Sequence, residues 1–81
     1  MNERWTTTAY KPLFEKFGQV MDIEPQGAEV FHVYLSRPEV SLAWFKALEK
    51  ELKKRNLRIF GFRINAIQRG ELQVSLVITP R

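Results

Sequence analysis

Cysteine is absent from the 81 residues. That excludes disulfide staples, thiolate metal sites and a cysteine nucleophile. Histidine occurs once, at His32. A lone imidazole cannot build a multi-histidine metal site, and no carboxylate cluster stands at ligand spacing to join it. The four glycines, Gly18, Gly27, Gly61 and Gly70, are scattered, so there is no glycine-rich phosphate loop. The serines lack a histidine–acid partner set. No apolar run approaches the roughly 20 residues that cross a bilayer, and the first residues lack the apolar stretch of a signal peptide. These absences predict a non-enzymatic chain with no catalytic residues, no metal site and no cofactor.

What remains is enough for a folded domain. The hydrophobic fraction is 44% and the aromatic fraction 12%, too apolar for a disordered chain. The length predicts one domain over residues 1–81, with a small core, since a chain of this size buries only about 60–65% of its unfolded surface. The net charge of +4 is localised. Between Lys46 and Arg58 lie six basic residues (Lys46, Lys50, Lys53, Lys54, Arg55, Arg58) against Glu49 and Glu51, while the remainder is balanced.

Tyr10, Leu13, Phe14 and Phe17 fall on one helical face. Pro12 is expected in the first turn of that helix, where a missing N–H costs least, and Gly18 reads as its C-cap. An extended run follows from Val20 to Glu24, ended by a turn at Pro25-Gln26-Gly27. Phe31, Val33 and Leu35 alternate with His32 and Tyr34, as in a strand with one face on a core. Ser36-Arg37-Pro38-Glu39 has capping-box spacing, with Ser41 as a rival N-cap. The second helix is expected to reach about Asn56, with Phe45, Leu48 and Leu52 as its tightest stripe and Leu42 and Trp44 on the flanks. Leu57 to Ile67 is a long extended run whose even positions, Phe60, Phe62, Ile64 and Ala66, are the more apolar set. Arg69-Gly70 marks a tight turn. Leu72, Val74, Leu76 and Ile78 form the clearest alternating strand.

The order α-β-β-α-β-β is two copies of a helix plus a hairpin. It predicts an α+β fold: a four-stranded antiparallel sheet with both helices on one face. This is a ferredoxin-like layout, permuted so that its first strand lies at the end of the chain. The strand order expected is 3-4-2-1, with the second and fourth strands central and the first and third at the edges.

Two open edges and spare aromatic residues are association devices. Trp5, Trp44, Leu57 and Ile59 are apolar residues that the main stripes do not require. Asp22 and Glu24 share one face of the first strand and make that edge acidic, whereas Arg58 and Arg63 make the third basic. The interface is therefore expected at the first edge and the neighbouring helix, with Trp5, Tyr10, Val20, Asp22 and Glu24 as its residues. The alternative is a ferredoxin-like nucleic-acid-binding module using residues 46–58. The interleaved glutamates and the missing RNA-binding sheet motif (Ile59-Phe60-Gly61-Phe62 is a faint echo) argue instead for a solvated helix face. A small-ligand sensor is a third class.

Ile23-Glu24-Pro25-Gln26-Gly27, the alternating strand after it, Val40 to Leu48 with its Trp44-Phe45 pair, and Leu57-Arg58-Ile59 together resemble the C-terminal periplasmic domain of type II secretion system protein M. Protein L of that machine and the type IV pilus protein PilO share the architecture, and Arg69 to Val74 suits all three. The likeness runs from about Tyr10 to Ile78, with Asn56 where those domains carry glycine. It implies a non-enzymatic component of an inner-membrane assembly platform on the periplasmic face. Such a domain homodimerises and pairs with a related secretion or pilus subunit. It also implies that the domain belongs to a longer chain anchored by a membrane helix.

Overall fold

The computed structural model describes the backbone of residues 3–27 and 30–81, with side chains from residue 9 onward. The elements are α1 (Glu3–Glu15), β1 (Gln19–Gly27), β2 (Val30–Arg37), α2 (Leu42–Lys53), β3 (Leu57–Gln68) and β4 (Glu71–Pro80). The strands form one antiparallel sheet in the order β1-β2-β4-β3. The expected α+β fold and strand order are the ones found.

The central strands bury one face by strict alternation. Phe31, Val33 and Leu35 of β2 lie opposite Ile78, Leu76 and Val74 of β4, and all six are buried. Leu13 and Phe14 of α1 and Leu48 and Leu52 of α2 join the same cluster, as do Ile23 and Leu57 from the edge strands. Both helices therefore cover one face of the sheet. Each such side chain contributes about 1.5–3 kcal/mol through burial, so this cluster is the main source of stability. Tyr10 stacks on Phe31 with centroids 4.8 Å apart, and Phe14 meets the same ring edge-on at 6.3 Å.

Several local expectations change. Pro12 lies near the end of α1, not in its first turn. There it removes one interior backbone hydrogen bond, and the helix stops soon after, at Glu15, continuing only as a turn with Phe17 N–H donating to the Phe14 carbonyl at 2.9 Å. Gly18 is not a left-handed cap; Gly27 and Gly70 are the glycines with positive φ. Gly18 instead suits a close approach: a Cβ there would stand 3.0 Å from Arg37 Cγ and 3.2 Å from the Ser36 carbonyl oxygen, so these neighbours would have to give by a few tenths of an ångström. Pro25 does not end β1. It pairs with Phe31 within the strand, and an edge position tolerates its missing donor.

Ser36 belongs to β2, and Ser41 is the cap of α2: its Oγ accepts from Trp44 N–H at 3.1 Å. α2 ends at Lys53, and Asn56, at φ 57, makes the left-handed reversal into β3. Asparagine is among the few non-glycine residues that adopt this conformation readily. The Arg69-Gly70 turn is found as expected, with Gly70 at φ 78 joining the Gln68–Glu71 pair.

Candidate interaction surface

Three regions could meet a partner: the sheet face away from the helices, the β1 edge and the β3 edge. The open sheet face is graded in charge. Its register sets Asp22 opposite Tyr34, Tyr34 opposite Ser75, and Ser75 opposite Arg63. The next row runs from Glu24 through His32 and Val77 to Gly61. A carboxylate pair thus stands on one edge and an arginine on the other, about 14 Å apart at three strand spacings.

Tyr34 and His32 occupy the middle of that face, with the His32 Nδ1 and Tyr34 Oη 3.4 Å apart. Burial, then the charges of Glu24 and Asp22, and a hydrogen bond to Glu24 raise the Tyr34 phenol above its usual value. Asp22 is held by a local bond, its Oδ1 accepting from Ile23 N–H at 2.8 Å. Among the described residues, no three His, Cys, Asp or Glu side chains gather as a metal site. A shallow depression of about 460 Å³ lies between α1 and the start of β1, lined by Lys11, Glu15, Gly18, Gln19 and Val20. Its lining holds no nucleophile of the kinds sought in the sequence.

The residues expected at the β1 edge divide. Asp22 and Glu24 are exposed on the open face. Val20 is half-buried and packs against the core, and Tyr10 is half-buried against Phe31. Trp5 lies in α1, but its side chain is outside the described residues. An irregularity between Val20 and Asp22 sets Met21 outward, 49% exposed.

Trp44 is not a spare anchor. Its Nε1–H donates to the Phe17 carbonyl at 2.8 Å, its ring meets Phe17 edge-on, and the Arg37 guanidinium lies 4.7 Å from its centroid. Arg37 also donates to the Phe17 carbonyl through Nη1. This cluster ties together the chain after α1, the end of β2 and the start of α2. Leu57 is buried and Ile59 packs against the core, so they too are used internally.

The exposed apolar residues lie elsewhere. An irregularity between Ile59 and Gly61 moves Phe60 out of the ladder, 69% exposed. Beyond it, Phe62 and Ile64 pair with Leu76 and Val74 and so face the helix side. There the helix layer leaves them 54% and 41% exposed, with Phe45 of α2 reaching Phe62 at 4.9 Å between centroids. The sequence marks the even positions, Phe60, Phe62, Ile64 and Ala66, as the more apolar set. Its alternation is genuine, but the covering is missing, and nothing in a local pattern reports how far a helix reaches.

The basic stretch is divided between two sides of the molecule. Lys46, Lys50 and Lys53 are exposed on α2, and Lys54 pairs with Glu51 at 3.2 Å. Arg58 instead lies on the open sheet face opposite Thr79, with its guanidinium 5.8 Å from the Phe60 ring centroid. No family model matches the chain, and comparisons with curated proteins and with solved structures give no match either.

Proposed function

We propose that this domain is a non-enzymatic protein–protein interaction module that associates through its sheet edges. The observation that carries the reading is the sheet order itself: β1 and β3 are terminal strands, one acidic and one basic, and β3 also bears exposed Phe60, Phe62, Ile64 and Ile67. Terminal strands offer unpaired main-chain groups, and exposed aromatic and aliphatic residues add the desolvation gain that association requires. Opposite charge on the two edges sets orientation and register between related domains more than it sets affinity.

The resemblance of Ile23 to Gly27, Val40 to Leu48 and Leu57 to Ile59 extends this proposal to a setting. The domain would serve an inner-membrane assembly platform of bacterial secretion or pilus machinery, facing the periplasm and pairing with itself or a related subunit. Among the described residues, no helix is long and apolar enough to cross a membrane.

Light scattering over a wide concentration range tests the self-pairing part. The expected result is a mass that rises with concentration, and Asp22→Lys should reduce the rise. A related subunit that co-elutes with the domain would support heterotypic pairing even if the domain alone stayed monomeric. Submicromolar, sequence-selective nucleic-acid binding at about 150 mM salt would overturn the reading, because simple phosphate attraction is weakened by salt and is indifferent to sequence.

A further inference from the structure

We propose that the outer edge of β3 is a docking site for an extended acidic segment of a different protein, in which apolar and acidic residues alternate. The inference rests on the reading of the domain as a protein-interaction module, and it names the edge and the chemistry of the occupant.

Register supplies the first argument. β3 is irregular between Ile59 and Gly61 and again between Ala66 and Gln68, which leaves an uninterrupted ladder over residues 61–66. That is about 20 Å of regular edge, enough for a strand of about six residues. β3 lies at the end of the sheet, so this edge meets no further strand among the described residues.

Side-chain pattern supplies the second. On the helix side, Phe62 and Ile64 are half-exposed and extend the apolar surface outward from Phe45. On the other side stand Arg63 and, beyond the irregularity, Arg58, while residues 57–68 contain no acidic residue. A strand added here alternates its side chains between the same two faces. Its inward set must be apolar to cover Phe62 and Ile64, and its outward set must be acidic to meet the arginines.

A second copy of this chain fits the β3 edge poorly, which leaves self-pairing to the β1 edge. An antiparallel β3–β3 pair offers Arg63 no acidic partner, and the register that sets Arg63 opposite itself puts like charges across the strands, which destabilises. Pairing β3 with β1 brings the right charge, but β1 is irregular on both sides of Asp22–Pro25, and Pro25 has no N–H to give a ladder. The charge pattern therefore points to a strand from another protein.

The test is an NMR titration of the isotopically labelled domain with a peptide of about eight residues alternating valine and glutamate, a length that spans the free edge. Saturable amide shifts confined to residues 59–68 are expected, and Arg63→Glu should weaken binding about tenfold or more. Phe62→Ser should weaken it too, while Asp22→Lys on the opposite edge leaves it unchanged. A valine–lysine peptide binding equally well would show that charge plays no part and would overturn the proposal. So would shifts that settle on α2, or an oligonucleotide that displaces the glutamate peptide from β3 and binds more tightly. If no peptide binds but the mass of the domain rises with concentration in a way that Arg63→Glu abolishes, the occupant is a second copy: this inference fails and the interaction reading stands.

Discussion

Ser41 and Tyr34 show how much a single polar atom decides in this chain. Ser41 Oγ satisfies one of the four N–H groups that open α2, a helix with no acidic residue in its first turn to help. Ser41→Ala is expected to cost about 1 kcal/mol in urea unfolding, with no change in the sheet signal. Tyr34 works through its proton. Its phenol is raised by burial and by Glu24 and Asp22, so the folded state holds the proton more tightly than the unfolded chain does. That contribution is fully present below about pH 10, the ordinary tyrosine value, and is lost as pH rises through the folded value. In alkaline unfolding series, the parent protein should therefore lose stability above about pH 10 faster than Tyr34→Phe does. Equal slopes would show that the carboxylates are too well solvated to matter.

At the scale of elements, the helices divide the aromatic residues into two groups that composition cannot separate. Phe14 is fully buried between α1 and the sheet, whereas Phe60 is 69% exposed at the β3 irregularity. Phe14→Ala is expected to cost about 3–5 kcal/mol, because it removes the contacts and leaves a cavity. Phe60→Ser should stay within about 0.5 kcal/mol in stability, since it removes surface that water already reaches. Thermal or urea unfolding of the two variants distinguishes them directly. A large loss for Phe60→Ser would mean that β3 depends on this ring and its contact with Arg58 rather than presenting it. The Phe17, Arg37 and Trp44 cluster belongs to this scale as well. Two donors from different elements converge on one carbonyl after α1, which fixes where α2 begins relative to β2.

For the whole molecule, the charge gradient across the open face and the uncovered row on β3 act together. With Asp22 and Glu24 at one edge and Arg58 and Arg63 at the other, the domain carries a dipole across its sheet. Association driven by these edges should weaken as salt rises from low to about 0.5 M, because the screening length falls to about 10 Å at 0.1 M and shorter above it, and exposed charges farther apart than that interact little. Association driven mainly by Phe62 and Ile64 would hold or strengthen instead. Sedimentation at several salt concentrations separates the two.

The element order, the one-face patterning of β2 and β4 and the edge positions of β1 and β3 were legible in the sequence. Alternation with period two, helical spacing of apolar residues and the Arg69-Gly70 turn are local signals, and the short loops leave few topologies. The same signals failed where a residue's environment comes from distant parts of the chain. Pro12 reads as a helix start, but it lies near the end of α1. Ser36 and Ser41 were both candidate caps, and only the length of β2 decides between them. Trp44 reads as a spare ring until the Phe17 carbonyl is placed beside its indole. Phe62 and Ile64 carry a core-like pattern on the core side of the sheet, yet they stay exposed because α2 does not extend over the outer edge of β3. Periodicity states which face a side chain takes; only the packing of the layers determines whether anything covers that face.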